Sequence, residues 1–437
     1  MKVIIIGNGI SGITAAKQLR ELSSEVEIQV ISEETPYFFA RTALMYVFMQ
    51  HMKEQDLFPH ENWFWSKKQI SLIHEKVVEI DPKQKWVRLR DQQKLVYDHL
   101  ILAVGSRTRN LQVPGSDLEG IQGFYSWQDL QKWQNEIPKA STVAIIGGGL
   151  IGVELAEMMV CAKKKTYLLI REDSYWSRIL PKEESELISC HIASHGVHLI
   201  RQTEALSFIG KHGRVAQIEL STGESLPVDW VGMSIGVEPR LGEIQVNDLA
   251  INQGIVVNDY LETSLPDVYA IGDCAESQNP PPGRAAIEAM WYTGRQMGEY
   301  VAKRILGYKQ PYQRELYFNS AKFFDLEYQI YGYVPSSVHP DIKTFHWSHQ
   351  NMIFRIAFDS TRRNVLGVSG IGLRLRQQVW TQWIESQQTV EECLQHWEKG
   401  SFDPEFTPAW GKCIRSSFTD QTGFEFKSAK KWNWLKK

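Results

Sequence analysis

The chain has 437 residues, more than one ordinary hydrophobic core holds, and about one domain per 150 residues predicts two to four domains. A composition of 43% hydrophobic and 23% charged residues excludes a mainly disordered or fibrous chain. The net charge of −3 makes nucleic acid an unexpected partner. Only 5 cysteines occur, none of them spaced C-x-x-C, and no apolar run approaches the ~18 residues of a membrane span. We therefore expect a cytoplasmic protein.

The chain opens on a dinucleotide-binding pattern. Residues 3–6 form a β-branched apolar run typical of a strand buried on both faces, and a helical segment (13–22) and a second strand (about 26–31) follow. In such a turn the first glycine allows the sharp bend, the second lets a pyrophosphate approach, and the third lets the helix pack closely. Glu33, which we favour over Glu34, is the acid expected at the ribose hydroxyls. The turn itself consists of Gly7, Asn8, Gly9, Ile10, Ser11 and Gly12.

The same pattern recurs one domain length later. An apolar run (142–146) precedes a second glycine-rich turn, a helix-like segment (153–159) and another strand (166–170), so we expect two dinucleotide-binding domains. Arg171, at the end of that strand, favours the 2′-phosphate of NADP, whereas the adjacent Glu172 would favour NAD. The cofactor is therefore NAD(P)H, with NADP preferred. The second turn contains Gly147, Gly149, Leu150, Ile151 and Gly152.

Two dinucleotide sites in one chain indicate hydride transfer between two cofactors. A nicotinamide gives hydride, and a flavin accepts it and passes electrons on singly or in pairs. The residues alone thus indicate a flavoprotein that uses a pyridine nucleotide.

The C-terminal part differs in character. From about residue 312 aromatic residues become dense, and the alternation over 351–358 predicts antiparallel strands with one solvated face. Residues 371–384 are predicted to be helical. The Lys- and Trp-rich tail, 427–437, could contact a lipid surface, but a solvated tail is the expectation.

Three further segments, 97–106, 234–240 and 265–275, complete a resemblance to the pyridine nucleotide–disulfide oxidoreductase superfamily. The likeness covers about residues 1–310 and is greatest to the ferredoxin, rubredoxin and nitrite reductase type. It implies an α/β protein with two Rossmann-like domains, for FAD and NAD(P), and a C-terminal α+β interface domain. The implied domains are 1–112 with 247–311 for FAD, 113–246 for NAD(P), and 312–437 for homodimer formation.

The resemblance also implies cofactor contacts. Asp273 would hydrogen-bond the ribityl or phosphate region of FAD, and the Val77 region would pack on adenine. Glu154 either orients the nicotinamide or simply favours a helix start, and Trp291 either stacks on a cofactor ring or is a core residue. Both are candidate catalytic residues. The remaining implied contacts are Arg41, Thr42, Ala103, Gly105, Gly236 and Gly272.

The chain departs from the family pattern in two places. Residues 41–50 contain no cysteine that could take electrons from a flavin, which argues against disulfide, thioredoxin and coenzyme-A-disulfide reduction. Cys274 is interpreted as a packing residue. Tyr46 stands where the reductases often carry a lysine. No metal site is expected.

The favoured function is an FAD-dependent NAD(P)H oxidoreductase that passes electrons to a ferredoxin- or rubredoxin-like protein, or to a small molecule. Two alternatives stay open at this point. One is a peripheral membrane NAD(P)H:quinone reductase docked by the tail. The other is a redox-sensing FAD/NAD-binding interaction protein, similar to relatives of apoptosis-inducing factor.

Overall fold

The structure is a computed structural model that describes residues 1–242, 244–402 and 408–426. The described chain divides into two compact units. The first contains residues 1–169 and 203–314. The second contains residues 170–202 and the described part of 315–437. The domain boundaries expected from the sequence stay a prediction. Residues 170–202, which were expected in the NAD(P)-binding domain, group here with the C-terminal part.

The elements follow in chain order. The strands are β1 (Lys2–Ile6), β2 (Glu27–Ser32), β3 (Ile70–His74), β4 (Val77–Asp81), β5 (Trp86–Leu89), β6 (Lys94–Val96), β7 (His99–Leu102), β8 (Ser106–Thr108), β9 (Ile121–Gly123), β10 (Thr142–Ile146), β11 (Lys165–Leu169), β12 (His198–Ile200), β13 (Ala205–Lys211), β14 (Arg214–Leu220), β15 (Ser225–Pro227), β16 (Trp230–Met233), β17 (Val237–Pro239), β18 (Gln245–Val246), β19 (Ile255–Val257), β20 (Val268–Ala270), β21 (Ala275–Ser277), β22 (Phe318–Phe323), β23 (Leu326–Gly332), β24 (Ile342–His349), β25 (Met352–Asp359) and β26 (Val365–Ile371). The helices are α1 (Ile10–Leu22), α2 (Leu44–Phe48), α3 (Asn62–Lys67), α4 (Trp127–Glu136), α5 (Leu150–Cys161), α6 (Lys182–Ser194), α7 (Trp291–Ile305), α8 (Gln377–Glu385), α9 (Val390–Gln395), α10 (Trp397–Gly400) and α11 (Gly411–Thr422).

A parallel sheet at the start of the first unit has the order β20-β7-β1-β2-β3. Its central strand β1 is apolar throughout its buried part, and Val3, Ile4 and Ile5 are fully buried, as expected for a strand covered on both faces. Because β20 pairs beside β7, residues 268–270 complete a sheet that the first hundred residues begin. The sheet confirms the predicted α/β fold.

Helix α7 packs against α1 at very short range. A Cβ built on Gly294 would lie 2.5 Å from Ser11 Oγ, and one on Gly298 would lie 2.5 Å from the Ser11 carbonyl oxygen. Only glycine permits this approach. The close crossing joins the N-terminal turn to the segment that follows Asp273.

The first unit contains a second parallel arrangement. There β10 pairs with β11 on one side and with β16 on the other, and β16 pairs with β9. Trp133 of α4 and Trp230 of β16 are fully buried, with ring centroids 5.9 Å apart at an interplanar angle of 78°. The smaller sheet β13-β14-β15 is antiparallel, and β4-β5-β6 form the antiparallel part of a four-stranded sheet in which β18 pairs parallel to β4.

The second unit contains an antiparallel sheet of order β22-β23-β26-β25-β24. The antiparallel prediction is correct, but the predicted solvated face of β25 is wrong, because six consecutive residues of that strand are buried. Arg355 can lie there because its guanidinium donates to both carboxylate oxygens of buried Glu184, at 2.6 and 2.9 Å, and to Glu183 at 2.9 Å. A buried charge is tolerated only with such partners.

The predicted helix over 371–384 is also partly wrong. Strand β26 extends to Ile371, Gly372 follows with a φ of +64°, and α8 begins only at Gln377. Pairing of β26 with β25 and β23 outweighs the helical pattern there. Trp380, Trp383 and Trp397 are buried in the core of this unit, which accounts for part of the high tryptophan content.

Within the described residues, no helix is both long and apolar enough to cross a membrane. The tail that suggested lipid contact, 427–437, lies outside the described residues.

Candidate functional site

The first glycine-rich turn has the geometry of a phosphate cradle. Gly7 adopts a φ of +111°, and a Cβ there would lie 2.1 Å from the carbonyl oxygen of Ala103. A Cβ on Gly12 would lie 2.1 Å from the Gly7 carbonyl oxygen, so both positions require glycine to close the turn.

Gly9 differs from both of them. Apart from its chain neighbours, no described atom lies within 4 Å of the place where its Cβ would be, and its φ of −68° is open to any residue. Gly9 is the N-cap of α1. The first backbone N–H groups of that helix, which have no acceptor within the helix, therefore lie next to Gly9. A glycine kept at an open position before a helix N-terminus fits the close approach of an anionic group such as a pyrophosphate.

The polar residues around this turn are held by their neighbours. The Asn8 side chain donates to the Thr35 carbonyl oxygen at 2.8 Å, which ties the turn to the end of β2. Glu33 directly follows β2 and forms ion pairs with Arg240 at 2.9 Å and Lys76 at 3.5 Å. Its place after the strand is the one predicted for the ribose-binding acid.

Arg41 lies among aromatic and acidic groups. Its guanidinium donates to the two carboxylate oxygens of Glu34 at 2.9 and 2.6 Å and to the Tyr125 carbonyl oxygen at 2.5 Å. It also lies over the rings of Phe39 and Tyr125, 4.8 and 4.4 Å from their centroids. Because the planar Arg41 guanidinium bonds to both Glu34 oxygens and lies over two aromatic rings, its orientation is well defined.

Asp273 lies in the short 3₁₀ turn Gly272–Cys274. Ser106 donates to one of its carboxylate oxygens at 2.7 Å, and the Tyr125 hydroxyl lies 3.3 Å from the same oxygen and 2.9 Å from Ser106 Oγ. Burial raises the pKa of Asp273, and the hydrogen bonds from Ser106 and Tyr125 offset part of that shift. The carboxylate is thus positioned by residues from distant parts of the sequence.

The second glycine-rich turn repeats the first. Gly147 has a φ of +123°, and a Cβ on Gly152 would lie 2.2 Å from the Gly147 carbonyl oxygen. The Ser234 hydroxyl donates to the Ile146 carbonyl oxygen at 2.9 Å and braces the turn. A Cβ on Gly149 would meet nothing closer than the Ser234 carbonyl oxygen at 3.9 Å, so this position is open in the same way as Gly9.

Glu154 lies on α5 beyond the first turn of that helix. Removal from water, together with the nearby charge of Glu157, raises its pKa to about 7. A helix-start acid would have the opposite shift, so the structure does not favour the helix-start interpretation. Helix α2, which carries Tyr46, packs against α5.

This shift predicts a pH-dependent effect of Glu154→Gln. A carboxyl whose pKa is raised on folding contributes fully below its ordinary value of 4.5 and loses that contribution as the pH rises through about 7. At pH 8 the Gln variant should therefore be more stable than the parent, by on the order of 1–3 kcal/mol, and at pH 4.5 the two should match. Urea unfolding at both pH values measures this difference. Equal stability of the two proteins at pH 8 would contradict the raised pKa of Glu154.

The remaining predicted residues lie in varied surroundings. Trp291 begins α7 and is 39% exposed, so it is not a core tryptophan. Val77 is buried in β4, Thr42 is exposed, and Arg171 is exposed with its Nε donating to Glu172 at 3.1 Å.

Tyr125 was not predicted as a site residue. Its contacts with Arg41 and Asp273 depend on a loop that carries no motif.

All five cysteines lie within the described residues and are free thiols. Cys274 is fully buried, and burial raises its pKa to about 11, which suppresses the reactive thiolate. Its thiol lies 3.3 Å from the Ile271 carbonyl oxygen, in keeping with a packing role.

The fold and the two open glycine turns define the class of reductases that bind both a flavin and a nicotinamide nucleotide. The chain belongs to the family described as pyridine nucleotide-disulphide oxidoreductase, which matches residues 1–298. It is an FAD-dependent NAD(P)H oxidoreductase.

The most similar relatives include two reductases. The rubredoxin-NAD(+) reductase of Ectopseudomonas oleovorans is 27% identical over 313 residues, which cover 71% of this chain and 81% of the relative. The 5,5'-dehydrodivanillate O-demethylase ferredoxin reductase subunit of Sphingobium sp. is 30% identical over 335 residues, 75% of this chain and 81% of the relative. Neither lends support to the quinone-reductase or redox-sensor alternative.

The fold recurs in the NAD-dependent persulfide reductase of A. fulgidus. That structure has a TM-score of 0.84 and 22% sequence identity, with 98% of this chain and 86% of the other covered. The similarity in fold includes the C-terminal part of the chain, for which the sequence motifs gave the least information.

Proposed function

We propose that this oxidoreductase passes electrons from NAD(P)H, through FAD, to a small iron–sulfur protein of the rubredoxin or ferredoxin kind. The observation that carries the proposal is the pair of open glycine positions, Gly9 and Gly149, in a unit whose one described buried cysteine, Cys274, is held as a thiol. The relatives named for rubredoxin and ferredoxin support the class of acceptor.

The two cofactors would be bound by different residues. The turn around Gly9 and the N-terminus of α1 would hold the pyrophosphate of FAD, with Glu33 at its ribose and Asp273 at its ribityl or phosphate region. The turn around Gly149 would hold the nicotinamide nucleotide. Bound FAD supplies hydride acceptance and one-electron release. Arg41, oriented by Glu34 and Tyr125, would place a positive charge near the flavin.

Anaerobic stopped-flow spectroscopy tests the proposal. NADPH or NADH should bleach the oxidised flavin, and a ferredoxin or rubredoxin added next should restore its colour, whereas disulfides such as coenzyme-A disulfide should not. A Cys161→Ser variant, which loses an exposed thiol, is the matched control and should behave as the parent. Absence of bleaching with either nucleotide, or thiol production from a disulfide, would contradict the proposal.

We infer a preference for NADPH from the charges after the second strand. Glu172 accepts from Arg171 at 3.1 Å and from Arg178 at 3.0 Å, so two guanidinium groups lie close to one carboxylate. Guanidinium groups at this position favour a 2′-phosphate. Arg171→Ala should therefore raise KM for NADPH and leave KM for NADH nearly unchanged. An equal effect on both nucleotides would overturn the preference.

The homodimer and the cytoplasmic location stay predictions. Sedimentation velocity of the untagged protein measures the first, and a monomer at micromolar concentration would contradict it.

A further inference from the structure

Three potential metal ligands converge within the second unit. His191 lies in the last turn of α6, and His195 is the residue that caps the helix C-terminus. Asp325 lies in the two-residue turn that joins β22 to β23, a hairpin packed against α6. The spacing of four places both imidazoles on one side of the helix end.

The ligand atoms of these residues lie close together. Asp325 Oδ1 is 2.7 Å from His191 Nε2 and 3.4 Å from His195 Nε2, and all three atoms lie within 4.8 Å of one another. In a tetrahedral zinc site with Zn–N distances of ~2.05 Å, ligand atoms are roughly 3.3 Å apart. Small side-chain movements would therefore bring the three to coordinating distance.

The hydrogen bonds prepare His195 as a ligand. Its Nδ1 lies 2.9 Å from the His191 carbonyl oxygen, which can only accept, so Nδ1 carries the proton. The ring stacks on Phe324, with centroids 4.4 Å apart and an interplanar angle of 19°. An outer contact that sets the tautomer and the ring orientation is a regular feature of histidine metal ligands.

In this arrangement two electron-rich atoms, His195 Nε2 and Asp325 Oδ1, face each other. When the His195 ring is neutral, its Nε2 presents a lone pair toward the Asp325 carboxylate, which has only lone pairs to offer. A cation between the three atoms resolves the conflict.

We propose that His191, His195 and Asp325 bind a Zn²⁺ ion, with water as the fourth ligand. Two imidazoles and a carboxylate suit zinc, and the ion would fasten the β22–β23 turn to the end of α6. No metal site was expected from the sequence, although the His-x₃-His spacing at 191–195 is a signal for one. The site serves the structure of the second unit and takes no part in the proposed electron transfer.

The test is calorimetric titration of ZnCl₂ into the full-length, tag-free protein after treatment with a chelator. The parent should bind one equivalent. His195→Gln and Asp325→Asn should each weaken binding by more than the ~10- to 100-fold that outer contacts cost, because each removes a ligand. Zinc should raise the Tm of the parent and leave that of these variants unchanged.

The matched control is His212→Asn, which removes an exposed histidine from the β13–β14 turn of the first unit. It should bind zinc as the parent does. Circular dichroism of each variant shows whether it is folded. The proposal is overturned if the parent binds no zinc, in which case a proton alone bridges the cluster, or if a His191→Gln/His195→Gln variant binds zinc with unchanged affinity.

Discussion

Replacing Gly9 by alanine should lower the FAD content of the purified protein and leave the fold intact. Apart from its chain neighbours, a Cβ at Gly9 meets no described atom within 4 Å, and alanine adopts its backbone angles without strain. The added methyl group would instead occupy the space that the pyrophosphate needs. An overlap of this kind costs about 1–3 kcal/mol, or roughly 5- to 150-fold in affinity. Flavin absorbance per mole of protein measures the loss, and urea unfolding of flavin-free protein measures the fold.

Two companion variants make this experiment specific. Gly12→Ala places a Cβ 2.1 Å from the Gly7 carbonyl oxygen, so it should destabilise the flavin-free protein by about 1–3 kcal/mol or more. Gly149→Ala should keep FAD and the fold but lose rapid reduction by NAD(P)H. If Gly9→Ala retained FAD, or if Gly149→Ala were reduced as fast as the parent, the assignment of the two turns would be wrong.

An Asp273→Ala variant should bind FAD about 10- to 150-fold more weakly, the equivalent of the ~1.5–3 kcal/mol of a hydrogen bond to a charged group. Asp273 is the proposed contact to the ribityl or phosphate region. Ser106 and Tyr125, which lie 2.9 Å apart, can still bond to each other after the substitution, so folding should be largely preserved. Titration of flavin-free protein with FAD, followed by flavin fluorescence, gives the affinity.

Asp420→Ala is the control for the loss of one negative charge, because Asp420 is an exposed residue of α11. It should bind FAD as the parent does. Unchanged FAD affinity in Asp273→Ala would exclude Asp273 from the site. Asp273→Asn adds a further comparison: a loss as large as that of the alanine variant would show that the carboxylate itself is required.

The strongest sequence predictions concerned local geometry. Gly7 and Gly147 both adopt a positive φ, and Gly12 and Gly152 both pack against a carbonyl oxygen, as the strand–turn–helix pattern predicted. Such patterns are readable because the contact between the first and last glycine of each turn spans only six residues. The weaker predictions concerned the C-terminal part. There β25 proved to be a buried strand paired on both sides, and Arg355 is buried by partners about 170 residues away, which no local alternation can indicate.

By itself, the sequence determined that this chain has two dinucleotide-binding turns and no cysteine at the position where a disulfide reductase needs one. It thereby determined the class of flavoprotein. Only the tertiary structure decided how Arg41 is held by Glu34 and Tyr125, and how Ser106 positions Asp273. The physical reason is distance along the chain. A glycine turn is set by its own backbone angles, whereas these polar contacts depend on which strands the folded sheets bring side by side.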